Sequence, residues 1–237
     1  MPAVVGVDLA AGRGTTEVAA LLLRPGEAPA FLAEHHRAVV TDADIVAAIA
    51  DACPSVVAID APLSLPRPVH AAVLGESYES GESGESGEPY DDPSASPYTR
   101  AAERDVLWSQ LGIRPLPVSF LGGLTFRAIA LLPRLRAALP ATALIEAFPS
   151  ATLAALGISR VSSGTSKRGK ATADARRAVQ QGLSRWIAGL PEPSDMLLSA
   201  DLLDALAAAL TAVAFASGSY RTAGDQAEGQ IVVPALP

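Results

Sequence analysis

Four acidic motifs in this chain sit in apolar frames. Asp8 closes Val4-Val5-Gly6-Val7-Asp8 and Asp60 closes Val56-Val57-Ala58-Ile59-Asp60. Glu146 follows Leu144-Ile145, and Asp201 and Asp204 open a long Ala/Leu run. The first three stand at the ends of short strand-like segments, and the last two lie one helical turn apart. An unpaired carboxylate in such surroundings is costly. Carboxylates that converge also repel one another, and the usual reason to hold them together is a hard divalent cation, which takes oxygen ligands. Each position also has a structural alternative. Asp8 can cap the turn Asp8-Leu9-Ala10-Ala11-Gly12, Asp60 can serve a turn before Pro62, and Glu146 can pair with Arg100 or Arg104. Asp201 can simply favour the start of its helix, where the macrodipole welcomes negative charge. Asp204 lies among Leu202, Leu203, Ala205 and Leu206 on a helix apolar nearly all round, so it is expected to be partly buried and to need a partner.

The elements that position these residues follow from pattern. Val4 to Leu9 predicts a first strand, Thr16 to Leu23 a second and Ala30 to Ala38 a third, joined by glycine-bearing turns into an antiparallel meander. Thr41 or Asp42 caps a helix to about Ala52 with Ile45, Ala48 and Ile49 on one face. Val56 to Asp60 is a fourth strand, reached through a helix and therefore expected parallel to a neighbour. Helices are expected over Tyr98–Leu111, stopped by Gly112, and over Leu121–Leu139, interrupted by Pro133. Ala143 to Glu146 is a fifth strand. Pro149 suits the first turn of a helix ending at Gly157. Lys170–Ile187 and Ala200–Ala216 are the last long helices, the final one capped by Ser199 and stopped by Gly218. Ile231-Val232-Val233 is expected as a late edge strand.

With strands one, four and five parallel and adjacent, Asp8, Asp60 and Glu146 end at one edge, where ligands bind in open α/β sheets. Neighbouring strands lie roughly 4.8 Å apart. Such carboxylates can share one ion or bracket two, and a two-metal site wants its ions roughly 3.5–4 Å apart.

The chain has 237 residues, 49% hydrophobic, 18% charged and only 5% aromatic, which predicts an aliphatic, helix-rich core. We expect one domain over 1–237 with an insertion at about 75–97, where Gly-Glu-Ser repeats and Asp91-Asp92-Pro93 cannot bury enough surface to fold alone. No basic leader precedes Val4, and no uncharged apolar stretch reaches the roughly 20 residues of a membrane span. The single cysteine, Cys53, excludes an internal disulfide and a cysteine-based zinc site. Together these predict a cytoplasmic protein with no membrane partner. The net charge of −7 argues against broad, non-specific duplex binding. From Arg160 to Arg177, however, Arg160, Lys167, Arg168, Lys170, Arg176 and Arg177 face one acid, Asp174. That stretch is either a solvated loop and helix start or a phosphate-facing lip.

The order of these motifs resembles the ribonuclease H-like superfamily and, more narrowly, the DUF429 family of predicted nucleases. The matching residues are Gly6-Val7-Asp8, Ile59-Asp60-Ala61-Pro62, Arg100 with Arg104-Asp105, Ile145-Glu146-Ala147-Phe148-Pro149, Asp201-Leu202-Leu203-Asp204-Ala205-Leu206-Ala207-Ala208-Ala209, and Glu228-Gly229-Gln230-Ile231-Val232-Val233-Pro234. The final Asp-x-x-Asp helix also resembles RuvC-type resolvases. The resemblance implies an α/β fold with a mixed five-stranded sheet, strands one to three antiparallel and strands four and five parallel to strand one, flanked by helices. It implies a Mg²⁺- or Mn²⁺-dependent nuclease acting on a nucleic acid or nucleotide. Asp8, Asp60, Glu146 and Asp204 would be catalytic, and Asp8, Asp60, Asp201 and Asp204 would hold metal. Arg100, Arg104 and Lys170 would meet substrate phosphate. A homodimer is compatible with this picture. Two other classes stay open. An actin- or sugar-kinase-like phosphotransferase uses a related sheet, with Gly12-Arg13-Gly14-Thr15-Thr16 as a phosphate loop, although no second copy and no Walker A motif are evident. A non-catalytic binding scaffold on the same fold is the other.

Overall fold

A computed structural model describes residues 3–12, 14–22, 30–35, 38–74, 99–159 and 172–235. The acidic repeat at 75–97 and Lys170 lie outside the described residues. Strands β1 (Ala3–Asp8), β2 (Glu17–Leu22) and β3 (Ala30–His35) form the expected antiparallel meander. Helix α1 (Asp42–Asp51) begins where Thr41 Oγ1 accepts the Asp44 amide at 3.1 Å, which satisfies a free donor of the first turn. It returns the chain to β4 (Pro54–Asp60), parallel to β1. Helices α2 (Arg67–Leu74), α3 (Ala101–Arg104), α4 (Leu107–Leu111) and α5 (Gly122–Ala138) precede β5 (Ala143–Ala147), which is parallel to β4. Then come α6 (Pro149–Ala155), α7 (Ala173–Ser184), β6 (Ile187–Ala188), α8 (Ala200–Ala216), β7 (Tyr220–Asp225) and β8 (Gly229–Pro234).

Among the described residues these strands form one eight-stranded sheet in the order β6-β3-β2-β1-β4-β5-β8-β7. Its five central strands, β3-β2-β1-β4-β5, have the order and directions expected of a ribonuclease H-like sheet. The sheet is wider than the five strands expected. The Ile231–Val233 run is not an edge but lies between β5 and β7. The edge strand β7 exposes Tyr220, Arg221 and Thr222, so no apolar run marks it in the sequence. The expected continuous helix before Gly112 is broken in two. Asp105 is extended at φ −62°, ψ 139°, and its carboxylate accepts the Leu107 and Gly224 amides, each at 2.9 Å. These tertiary bonds hold it out of the helix.

Helix α8 lies on one face of the sheet with α6 and α7, over Val4, Ala58, Leu21 and Ile145. On the other face α1 and α5 cover Val5, Val7, Val57 and Ile59. The alternation of inward residues along β1 and β4 serves both layers at once, which is why these strands are nearly all apolar. Helix α8 comes unusually close to β1. A Cβ built on Gly6 would stand 2.1 Å from the Ala205 oxygen and 2.2 Å from the Ala209 nitrogen. Only glycine on the strand, facing alanines on the helix, permits that approach. Gly6→Ala is expected to cost at least about 1–3 kcal/mol through overpacking, measured by urea unfolding. An unchanged midpoint would mean that α8 can back away without penalty.

Candidate active site

The close seat of α8 fixes what stands at the C-terminal ends of β1 and β4. Asp8 is in register with Asp60 on β4 and with Glu17 on β2. Residues directly opposite one another share a sheet face. Glu17, Asp8 and Asp60 therefore form a lateral row on the face that α8 covers, and all three are half-buried. At the start of α8, Ser199 Oγ accepts the Leu202 amide at 3.0 Å, as its sequence predicts. Asp201 is exposed and Asp204 half-buried. The Glu17 carboxyl is pushed up from its ordinary pKa, first by burial and then by the negative charge of Asp201. The first turn of α8 thus lies within electrostatic reach of the row. Glu17 was not anticipated. Its signal was available, because the first residue after a short β1–β2 connection faces the last residue before it.

Polar clamps position both sides of this row. Thr16 is fully buried; its backbone pairs with Val39 at 2.9 and 3.1 Å, and its Oγ1 accepts the Ala10 amide at 3.2 Å. Arg127 donates to the Ala10 carbonyl at 2.6 Å, the Val40 carbonyl at 3.0 Å and Asp42 at 3.0 Å. These bonds hold the connection that leaves Asp8. Beneath the start of α8, buried Gln180 donates to the Pro191 and Met196 carbonyls at 2.8 and 2.9 Å and accepts the Leu198 amide at 3.0 Å.

Glu146 is placed elsewhere. It is in register with Ile59, one residue before Asp60, and so projects from the opposite face. There it accepts two bonds from Arg100, at 2.6 and 2.8 Å, and the Leu63 amide at 2.9 Å. The structure thus turns Glu146 to the sheet face opposite Asp8 and Asp60, although it lines one pocket with Asp60, and gives it the ion pair that stood as the alternative. Arg100 is fully buried, and its side chain donates to Glu103, Glu146 and Ser64 through five bonds. A guanidinium has five N–H donors. Arg100 therefore has none left for a substrate phosphate, which corrects the role expected of it. Arg104 is exposed and donates to the Thr99 carbonyl at 2.8 Å. The same cluster explains the Glu228-Gly229 motif. Glu228 accepts the Arg67 and Ala101 amides at 2.9 and 2.7 Å, and its carbonyl accepts the Ser64 hydroxyl.

The donors along the row and on α8 are all carboxylate oxygens, the chemistry a hard cation requires. Among the described residues, no three His, Cys, Asp or Glu side chains form a ready-made ion cage. Mg²⁺ is commonly held by one or two carboxylates, with substrate phosphates and water completing its shell. Asp8 and Asp60 on adjacent strands fit that mode without a cage.

No curated protein matches the chain. Among solved structures, Thermus thermophilus RuvC is similar at 15% identity, with 91% of this chain and 96% of that chain covered and a TM-score of 0.45. T. thermophilus RuvC in complex with a Holliday junction substrate gives 13% identity, 92% and 96% coverage and a TM-score of 0.44. The model of the protein family of unknown function DUF429 matches residues 6–229, from the Gly6 motif to the start of the Glu228–Pro234 motif, and the chain belongs to that family.

Proposed function

We propose that this protein is a divalent-metal-dependent nuclease built as one domain over residues 1–237, hydrolysing phosphodiester bonds in a nucleic acid or nucleotide. The observation that carries this reading is the register of Asp8 with Asp60 on the face covered by α8, a helix that carries Asp201 in its first turn and Asp204 in its second. Asp8 and Asp60 would hold the metal, with Asp204, supported by Asp201, contributing from α8. A bound Mg²⁺ or Mn²⁺ supplies Lewis-acid stabilisation of phosphoryl charge and a water of lowered pKa. Glu146 acts at a distance, by fixing the Leu63 amide and Arg100 behind Asp60. Arg104 and Lys170 are the proposed phosphate contacts. No helix among the described residues is long and apolar enough to cross a membrane.

The test is cleavage of labelled single-stranded DNA, duplex DNA and RNA with Mg²⁺, Mn²⁺ or EDTA. Metal-dependent cleavage is expected, reduced in Asp60→Asn by more than the roughly 10–100-fold typical of residues one shell further from a metal. Equal activity of wild type and Asp60→Asn would end the assignment. The lack of a three-ligand cage among the described residues favours a second reading, a non-catalytic binding scaffold. Under that reading nucleic acid binds with the same affinity with and without metal, and none is cut.

A further inference from the structure

Beside Asp60, outside the ends of β4 and β5, a pocket of about 200 Å³ opens. Pro115, Leu116, Leu121, Leu124 and Phe148 give it apolar walls. Its polar members are Asp60, Arg100, Glu103 and Glu146. The volume is below the roughly 300–1,000 Å³ of a drug-sized site, so it suits one ring system. What the pocket offers a ligand is one-sided. The donors of Arg100 are all turned to Glu103, Glu146 and Ser64. Among the described residues Glu146 Oε1 and Glu103 Oε2 each take a single hydrogen bond and so keep acceptor capacity. One guanidinium between two carboxylates leaves the cluster at net −1, and Asp60 adds to it. A ligand here must be flat and apolar in body and must carry N–H donors on its edge.

We propose that this pocket receives an unpaired, amino-bearing nucleobase of the substrate strand. Carboxylates accept from exocyclic amino groups, as a Glu or Asp accepts from cytosine N4. Uracil and thymine would turn a carbonyl oxygen toward the same carboxylates, so they are disfavoured. Bases taken out of a stack are read in this manner, by edge hydrogen bonds between apolar walls. The proposal rests on the reading that the scissile phosphate sits at Asp8 and Asp60, since the pocket abuts Asp60. Phe120, 77% exposed next to pocket-lining Leu121, offers the neighbouring base a ring to stack on.

The experiment is a thermal-shift titration of the full chain with cytidine, adenosine, uridine and thymidine in EDTA, with a parallel Mn²⁺ titration. Saturable stabilisation by cytidine and adenosine is expected, with uridine and thymidine weaker by about tenfold or more. Leu116 is 59% exposed, so Leu116→Asp leaves the fold intact while removing an apolar wall and adding charge. This variant is expected to weaken nucleoside binding at least about tenfold while keeping the Mn²⁺ response of wild type. Nucleosides that do not bind, bind without regard to the amino group, or bind Leu116→Asp as well as wild type would overturn the proposal. If the Mn²⁺ response persists in such a case, the nuclease reading stands. If nucleosides bind as expected and Mn²⁺ has no effect, the pocket stands and the metal reading fails.

Discussion

Arg100→Leu is expected to lower stability by about 3–5 kcal/mol, the cost of leaving buried charge uncompensated. The side chains of Arg100, Glu103 and Glu146 are 1%, 3% and 5% exposed, so water can replace little of what the guanidinium does. Burial works against the charge on Arg100, yet the bonds and charges of Glu146 and Glu103 outweigh it and hold its pKa above the ordinary value. Burial also pushes the Glu103 carboxyl up, against the pull of Arg100. Removing Arg100 therefore leaves two buried carboxylates facing each other. Urea unfolding at neutral pH measures the loss. Neutralising both carboxylates as well, with Glu103→Gln and Glu146→Gln beside Arg100→Leu, is expected to recover a substantial part of it, because the uncompensated charge is the main cost. A loss below about 1 kcal/mol for Arg100→Leu would show that water in the pocket screens these charges as it does on a surface. The cluster matters to function because Leu63 and Ser64, two of its partners, directly follow the Asp60 turn.

Asp8→Asn is expected to abolish stabilisation by Mn²⁺ while leaving the metal-free protein as stable as wild type or more so. A ligand at one hundred times its dissociation constant stabilises the native state by about 2.7 kcal/mol. In a chain of this size that corresponds to a rise in Tm of roughly 5–10 °C. The gain without metal comes from relieved repulsion, since Asp8 stands between Glu17 and Asp60 in one row. Differential scanning fluorimetry of both proteins, with and without Mn²⁺, reads both effects. An Asn variant that responds to Mn²⁺ as wild type does would remove Asp8 from the metal site. A variant that unfolds without metal would make Asp8 a structural cap.

Much of this protein was legible in the residues alone. The alternating and continuous apolar runs set β1, β2, β4 and β5, because period and β-branched content are local properties. Ser199, Thr41, Pro149, Gly112 and Gly218 marked helix ends through local chemistry that the structure reproduces. Strand directions followed from connection length, and with them the meeting of Asp8 and Asp60 at one edge.

Tertiary structure decided the rest. The face on which each strand-end carboxylate projects depends on register between strands, and a shift of one residue reverses it. Glu146 was expected to end its strand as Asp60 ends β4, yet β5 runs on to Ala147, and Glu146 pairs with Ile59 and so belongs to the Arg100 cluster. Glu17 reads as an ordinary first residue of an amphipathic strand until pairing sets it beside Asp8. Arg100 has the composition of a phosphate ligand, and only its burial among Glu103, Glu146 and Ser64 shows that every donor is taken. Local sequence specifies which residues can do chemistry and which elements carry them; the pairing of elements distant in the chain specifies which of those residues meet.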